Sequence, residues 1–334
     1  MASLLRRAGE RADGGAVPPT SLIFDCDPGV DDAIALFLAF GSPAAVDLLG
    51  VTTVAGNVGG DLTARNARII RQTAGRTDVP VIPGCERPMV RPPVEAGHFH
   101  GESGLGNLPI FEPREGAQAG HAVDFIVETV MGRPEKTVSI AVTGPMTNLA
   151  MAMVREPRIV PRLKAVAAMG GARREGGNIT ASAEYNIHAD PHAAQVVAAS
   201  GCGVVMLGLD VTHQVRATAE RRARIAALSN ETARAATNLL AFADEVERRL
   251  GTGGAPPQHD LCAIAYLIEP SLFETVPCRL AVETNSELTL GHTAVEFRLA
   301  PGETGNARWA TTADSDGVFD LLTDALARGP VRQA

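Results

Sequence analysis

Short apolar runs alternate with amphipathic stretches along most of the chain, and turn residues separate them. The apolar runs carry many bulky or β-branched side chains, which predicts buried strands. Six strands are predicted at residues 21–26, 46–54, 80–83, 137–142, 165–169 and 204–207. Helices are predicted at residues 31–40, 61–74, 121–131, 146–155, 260–268 and 317–327, and a further helix begins at Asp190-Pro191. This alternation indicates a mostly parallel sheet with helices on both faces.

Several segments interrupt this alternation. They are a long loop at 85–119, a Gly-rich loop at 173–180, a helical stretch at 217–250 that breaks near Ser229-Asn230, a hinge at 251–257 and a β-hairpin at 279–299. A loop as long as 85–119 inside a compact domain is usually functional. We expect the two loops to contribute to a binding or catalytic site.

The pattern as a whole predicts one α/β domain over residues 21–330. Its central sheet is mostly parallel and flanked by helices, as in a Rossmann-like core, and the stretch 217–250 is a helical insertion near the site. Residues 1–20 contain Gly and Pro pairs but no apolar segment. They predict a disordered tail rather than a secretory signal.

Composition narrows the possible functions. The chain has 334 residues, of which 45% are hydrophobic, so it can bury a large core. Its longest apolar run, residues 33–40, falls short of the roughly 20 residues that a membrane span needs. A net charge of −8 and an aromatic content of 4% argue against a nucleic-acid partner. Five cysteines without a C-x-x-C pair suggest reduced thiols in the cytoplasm.

Four carboxylates lie within eight residues where the first strand meets the first helix. They are Asp25, Asp27, Asp31 and Asp32. The carboxyl ends of parallel strands form the ligand crevice of such sheets, and converging negative charges require protons or a cation. Oxygen ligands without clustered His or Cys favour calcium or magnesium over zinc. The alternative, a helix cap at Asp31 beside solvated loop acids, accounts for one or two of the four.

These residues and four later segments resemble one family. The first segment, Asp25-Cys-Asp-Pro-Gly-Val-Asp-Asp32, resembles the N-terminal motif of the inosine–uridine-preferring nucleoside hydrolases. Further similar segments follow in the family's order: His100-Gly101 with Gly104-Leu105, Thr143-Gly-Pro-Met-Thr-Asn148, Glu184-Tyr-Asn186 with Asp190-Pro191, and His259-Asp260. The resemblance covers residues 21–328, and several motifs at compatible positions make it specific.

The resemblance implies a calcium-dependent enzyme. Four residues would hold its calcium ion through oxygen atoms: Asp27, Asp32, Asp260 and, through its carbonyl, Thr143. The ribose 2′- and 3′-hydroxyls and a water would complete the coordination. This mixture of oxygen donors suits calcium. Asp25 would position these ligands from behind. The implied reaction cleaves the N-glycosidic bond of ribonucleosides into ribose and free base, with Asp27 taking the proton of the metal-bound water.

The resemblance also assigns contacts to the substrate. Asp31 and Asn186 would hold the ring hydroxyls, while Asn178 and Glu184 would hold the 5′-hydroxyl and Glu184 would repel a 5′-phosphate. His259 would assist the leaving base, because imidazole titrates near neutrality.

Three further assignments each leave an alternative open. Asn57 lies near the sugar or only forms a turn after a strand. His100 touches the base or is a surface histidine. Met169 lines the pocket or belongs to the core.

Base preference stays open. The family's purine-specific branch stacks the base between tryptophans, whereas the one tryptophan here is Trp309, far along the chain. Residues 217–250, which cover the base in relatives, contain Phe242 and no Tyr or Trp. Tyr185 stands where many relatives have Phe, and its hydroxyl needs a partner. We therefore expect no tight aromatic clamp on a purine.

Two other function classes remain to be distinguished. One is an inactive ribose- or nucleoside-binding protein. The other is an Asp-nucleophile phosphatase, since Asp25-x-Asp27 mimics that motif, although Pro28-Gly29 follows and lysines are scarce. By analogy with relatives we expect a homodimer or homotetramer.

Overall fold

The computed structural model, which describes residues 18–251 and 254–330, is built around a nine-stranded sheet. The strands are β1 (Thr20–Cys26), β2 (Val46–Thr53), β3 (Val81–Pro83), β4 (Val138–Val142), β5 (Ala165–Met169), β6 (Val204–Leu207), β7 (Phe273–Val282), β8 (Thr293–Glu296) and β9 (Ala307–Ala313). Their order across the sheet is β3-β2-β1-β4-β5-β6-β9-β7-β8. All neighbours from β3 to β9 are parallel, and β7 runs antiparallel to β9 and β8.

Helices cover both faces of this sheet. In chain order they are α1 (Val30–Phe40), α2 (Gly60–Thr73), α3 (Gly97–His100), α4 (Ala122–Gly132), α5 (Thr147–Arg155), α6 (Ile159–Arg162), α7 (Tyr185–Ala189), α8 (Pro191–Ala199), α9 (Leu209–Thr212), α10 (Ala219–Ala226), α11 (Glu231–Leu250), α12 (Leu261–Ile268) and α13 (Ser315–Ala327), with a 3₁₀ turn at Pro270–Leu272. None of the helices in the described ranges is both long and apolar enough to cross a bilayer.

The alternation of side chains along β1 divides the core between the two faces. Leu22 and Phe24 pack with α1, α11, α12 and α13 on one face, whereas Ile23 packs with α4, α5 and α8 on the other. Successive strand residues point to opposite sides, so an uninterrupted apolar run suits a strand covered on both faces. Helix α1 is buried along its whole length except at Asp31, which is half-buried.

The structure confirms the α/β class and all six strands expected from apolar runs. The helical stretch 217–250 is two helices, α10 and α11, and Asn230 at the break accepts a hydrogen bond from the Ala233 amide as the cap of α11. Asp190 caps α8 in the same way, with Pro191 as its first residue. The capping residues in the sequence therefore predicted correctly where α8 and α11 begin.

The C-terminal part of the sheet differs from the expectation. The hairpin predicted at 279–299 is made by β7 and β8, but β7 starts at Phe273, and β9 inserts between β6 and β7. The sequence of β9, Ala-Arg-Trp-Ala-Thr-Thr-Ala, is too polar to stand out as an apolar run.

Three further predicted segments differ from the structure in part or lie partly outside the described residues. The loop 85–119 contains the single-turn helix α3. The predicted tail 1–20 lies outside the described residues up to residue 17, and its last member, Thr20, is the first residue of β1. The hinge predicted at 251–257 includes residues 252 and 253, which are also outside the described part.

Candidate active site

A cavity of about 420 Å³ opens at the carboxyl ends of β1, β2, β4 and β5. Most residues predicted for the site line it: Asp31, Asn57, His100, Thr143, Met169, Asn178, Glu184, Asn186, His259 and Asp260. The C-terminal end of α11 covers one side with Val246, Glu247 and Leu250, which places the helical insertion at the site as expected. Ligands of parallel α/β proteins bind at this edge of the sheet.

Three carboxylates converge beside the cavity. One oxygen atom from each of Asp31, Asp32 and Asp260 lies within 4.8 Å of the others. Asp31 and Asp32 belong to the first turn of α1, and Asp260 directly precedes α12. Asp32 is fixed by the Thr143 hydroxyl, which donates to Oδ1 at 2.7 Å, and by the Gly29 amide, which donates to Oδ2 at 2.9 Å. This trio could hold a metal ion.

Asp27 lies next to the trio rather than in it. Its Oδ2 accepts the Asn57 amide at 2.8 Å, and the Asn57 side chain donates to the Asp27 carbonyl at 3.1 Å and to Asp32 Oδ2 at 3.2 Å. The predicted ligand set had Asp27 where this trio has Asp31. Asn57 is thus more than a turn former, because it ties two of the carboxylates together.

The surroundings of Asp27 leave one oxygen without a protein partner. Asp27 Oδ1 is buried and accepts no hydrogen bond from any described residue. A Cβ at Gly56 would lie 2.0 Å from Asp27 Oδ2, and one at Gly144 would lie 2.5 Å from Oδ1, so glycine is needed at both positions. A buried carboxylate oxygen without a donor fits a cation or a water beside it.

Burial raises the pKa of these acids. The pKa of Asp32 rises to about 7, and those of Asp27 and Asp260 rise well above the usual value, first because of burial and then because neighbouring carboxylates repel the added charge. A divalent cation would reverse this effect and keep the acids ionised. The donor set is entirely oxygen, which fits calcium or magnesium.

Asp25 lies behind the cavity and does not line it. Its Oδ1 accepts hydrogen bonds from the Thr52 hydroxyl at 2.6 Å and from the Asn148 amide at 2.8 Å, while Oδ2 is buried without a partner among the described residues. Burial raises its pKa to about 7. These contacts connect β1 with β2 and α5. The role of Asp25 in supporting the ligands stays a prediction.

A second wall of the cavity is built around α7. Glu184 caps this helix, and its carboxylate accepts backbone amides of Asn186 at 3.0 Å, Gly171 at 3.0 Å and Ile187 at 3.3 Å. Burial raises the pKa of Glu184 to about 7, although the three amides oppose the rise. The rim is completed by Asn178, whose Oδ1 accepts the Tyr185 amide at 2.9 Å.

Asn186 joins this wall to the carboxylate side. Its amide nitrogen donates to the Thr143 carbonyl at 2.8 Å and to the Met169 carbonyl at 3.2 Å, and it lies 3.3 Å from the Met169 sulfur. Met169 is almost fully buried and still lines the cavity, so it has both roles that were considered for it. The Tyr185 hydroxyl has the partner it needed, the Val94 carbonyl at 2.7 Å.

His100 and His259 also line the cavity. His259 Nδ1 lies 2.8 Å from the Thr212 hydroxyl, and burial lowers its pKa to about 4. The expectation that this ring titrates near neutrality is therefore wrong: at pH 7 the imidazole is neutral. His100 is not a free surface side chain either, since its Nδ1 accepts the Val30 amide at 3.1 Å.

Several lining residues were not predicted. Phe99, His213 and Arg216 all line the cavity, and the His213 ring centroid lies 5.7 Å from that of His259. His213 and Arg216 come after α9, the short helix that follows β6, so the rule that selected the residues at the end of β1 does not reach them. Phe242 is not among the lining residues and packs against the core.

Without a cation, we expect the protein to lose stability as the pH rises. Asp25 and Asp32 have raised pKa values of about 7 in the folded state, so their stabilising protonation is complete below about pH 4 and is lost as the pH rises through 7. Thermal unfolding in chelator should give a lower Tm near pH 8 than near pH 5. Added calcium should raise the Tm more near pH 8, because protons compete for the same oxygens. A higher Tm in chelator at the upper pH would contradict this account.

The fold and the cavity together define an α/β enzyme with an acidic, oxygen-rich site for a small polar substrate. The model of the family described as "Inosine-uridine preferring nucleoside hydrolase" matches residues 22–320. The chain belongs to this family and is an N-glycosyl hydrolase.

Individual relatives extend over nearly the whole chain. It is 40% identical to the inosine-uridine preferring nucleoside hydrolase of Crithidia fasciculata over 93% of its own length and 98% of that protein. It is 41% identical to the pyrimidine-specific ribonucleoside hydrolase RihA of Shewanella baltica over 91% and 95% of the two chains. The solved structure of a purine-preferring ribonucleoside hydrolase from Gardnerella vaginalis superposes with a TM-score of 0.86 at 30% identity, covering 93% of this chain and all of that one.

Proposed function

We propose that the protein hydrolyses ribonucleosides to ribose and free base with the help of a bound calcium ion and with Asp27 as the general base. The observation that carries the proposal is the buried Asp27 Oδ1, which accepts no hydrogen bond from the described residues; the same carboxylate is linked through Asn57 to Asp32 of the converging trio. Asp27, Asp32, Asp260 and the Thr143 carbonyl would hold the ion. A bound calcium ion would make water more acidic and accept the ribose diol as a ligand.

Different residues have different roles in the proposed reaction. Asp27 accepts the proton of the water that attacks C1′, and Asn57 holds its other oxygen in place. The glycosidic bond breaks with its electron pair moving to the base, and the acidic wall stabilises the positive charge that develops on the sugar. His259, neutral at pH 7, assists by donating a ring N–H to the departing base.

The sugar would be held by side chains of the two walls of the cavity. Asp31 and Asn186 would bind ring hydroxyls, Asn178 and Glu184 would bind the 5′-hydroxyl, and His100 and Met169 would flank the nucleoside. This assignment is supported by the position of all six residues on one cavity. The three relatives bear names with different base preferences, so we infer that both inosine and uridine are cleaved.

We also infer that the protein works in the cytoplasm as a homodimer or homotetramer. All five cysteines are free thiols, and the exposed Met151 and Val154 lie one helical turn apart on α5, where a second copy could cover them. Light scattering of the purified protein measures the oligomeric state.

Asp27→Asn tests the role of the general base. Asparagine keeps the size and one oxygen but has no affinity for the proton, so kcat for inosine should fall roughly 10²- to 10⁴-fold. Binding of inosine, measured by calorimetry, should change much less than turnover. The variant also separates the hydrolase from an inactive binding protein, because the latter would show calcium-linked binding without releasing ribose in either form.

An Asp27→Asn enzyme within a few-fold of the wild type would mean that another group takes the proton. Asp47→Asn is the matched control, because Asp47 lies in β2 with an exposed side chain that pairs with the Ser21 hydroxyl. It should leave kcat unchanged.

A further inference from the structure

Thr212 makes a hydrogen bond to His259 that no part of the reaction described above uses. Thr212 is the last residue of α9 and is fully buried, and its Oγ1 lies 2.8 Å from His259 Nδ1. The two residues come from separate parts of the chain, one after β6 and the other just before α12. The contact therefore joins two elements beside the cavity, which His259 lines.

The surroundings of the hydroxyl determine which atom donates. A helical threonine often donates to the carbonyl four residues earlier, but the Gly208 carbonyl here accepts the backbone amides of Val211 and Thr212. Within residues 18–251 and 254–330, His259 Nδ1 is the partner found for the hydroxyl. If Nδ1 donated, the hydroxyl proton would be buried without an acceptor, which is costly. The hydroxyl therefore donates, and Nδ1 accepts.

This direction fixes the tautomer of the ring. A neutral imidazole whose Nδ1 accepts carries its proton on Nε2, on the opposite side of the ring. His259 lines the cavity, so the Nε2–H is the group that it can present to a bound nucleoside. With the other tautomer, Nε2 would be an acceptor and would repel the electron pair that moves onto the base.

We propose that Thr212 is a positioning residue that holds His259 in the Nε2–H form, so that the ring donates a hydrogen bond to the departing base. The proposal rests on the role of His259 given under the proposed function. It requires no proton transfer from the ring: the base leaves with the electron pair of the glycosidic bond and the hydrogen bond stabilises it. Thr212 acts only through His259.

Thr212→Val removes the hydroxyl with little change of shape. We expect kcat for inosine to fall roughly tenfold, the value of one hydrogen bond, with little change in KM. Thr212→Ser keeps a hydroxyl at the same place and should restore kcat to within about twofold of the wild type. Thr232→Val is the matched control, because Thr232 is also buried but lies at the opposite end of α11 from the cavity. The control should leave kcat unchanged.

Two measurements separate positioning from a merely structural effect. A nitrophenyl riboside has a leaving group that needs no hydrogen bond, so Thr212→Val should cleave it about as fast as the wild type. In ¹⁵N spectra of histidine-labelled protein, the wild type should show the Nε2–H pattern for His259, and Thr212→Val should show a mixture of tautomers.

A double-mutant cycle completes the test. If Thr212 acts through His259, Thr212→Val should cause no further loss in a His259→Ala background. An additive loss, an equal loss on the nitrophenyl riboside, or an Nδ1–H pattern in the wild type would overturn the proposal. If His259→Ala itself cleaves inosine normally, the assigned role of His259 fails instead, which is a distinguishable result. Should Thr212→Val not fold, the wild-type spectrum and the Thr212→Ser kinetics decide.

Discussion

Asp32→Ala is expected to abolish calcium binding and turnover together. Asp32 is buried, takes part in the trio of converging carboxylates, and is held by Thr143 and Gly29. Its loss removes a ligand and also releases the Thr143 side chain, whose carbonyl is a proposed ligand. A metal contributes several kcal/mol to the transition state, so kcat/KM for inosine should fall by at least roughly 10⁴-fold.

Calorimetric titration with calcium and a reducing-sugar assay on the same preparation check this expectation. Asp32→Asn serves as a second variant that keeps the hydrogen bond from Thr143 and so protects the fold. Asp25→Asn is the graded comparison: Asp25 does not line the cavity and is proposed to act only through the ligands, so its change should lower kcat/KM by only about 10- to 100-fold. Calcium binding of unchanged affinity in Asp32→Ala, or full activity, would refute the metal site.

The sequence predicted that three of the acids would lie close together, for a local reason. Asp27, Asp31 and Asp32 lie close together along the chain at the end of a strand, so any parallel sheet brings them to its ligand-binding edge. Asp260 lies far along the chain, and only the family resemblance placed it there. In the structure an oxygen of Asp260 lies within 4.8 Å of oxygens of Asp31 and Asp32, and Asp27 lies next to this trio; which of the four acids hold an ion stays a prediction.

The base side of the cavity was predicted less well, because its properties arise from tertiary packing. His259 was expected to titrate near neutrality, yet burial beside His213 and Arg216 lowers its pKa to about 4. No residue type or spacing reveals such burial. The strand β9 was missed for a similar reason: its polar sequence forms a strand because β6 and β7 flank it on both sides.

Two glycines also show that a motif can be found in the sequence while its physical reason is found only in the folded structure. Gly144 belongs to a segment that was recognised by resemblance and Gly56 to none of those segments, but the physical reason for glycine at both positions is the Asp27 carboxylate packed against them. The need for glycine there follows from a close approach between segments that are distant in the sequence. Such an approach is visible only in the folded structure.

The ribose is expected to be recognised far more strictly than the base. Asp31, Glu184 and Asn186 are polar groups on the cavity wall, and the Glu184 carboxylate is fixed by three backbone amides. A site built to bond a hydroxyl leaves its partner groups unpaired when the hydroxyl is missing. Without the 2′-hydroxyl Asp31 and Asn186 lose a partner, and kcat/KM for 2′-deoxyinosine should be roughly 10⁴-fold below that for inosine. Inosine 5′-monophosphate should also be a poor substrate, because Glu184 would repel its phosphate.

The prediction is tested by measuring kcat/KM of one enzyme for inosine, uridine, 2′-deoxyinosine and inosine 5′-monophosphate. Exchanging hypoxanthine for uracil should change kcat/KM much less than removing the 2′-hydroxyl, because few aromatic side chains line the cavity among the described residues. Phe99 and Tyr185 are the ones found there among the described residues, and the Tyr185 hydroxyl is already bound to Val94. In Glu184→Gln the penalty on the monophosphate should shrink while that on 2′-deoxyinosine persists, since the first depends on the charge of Glu184 and the second does not. If 2′-deoxyinosine is cleaved as fast as inosine, recognition of the ribose diol by the calcium ion and the acidic wall is wrong.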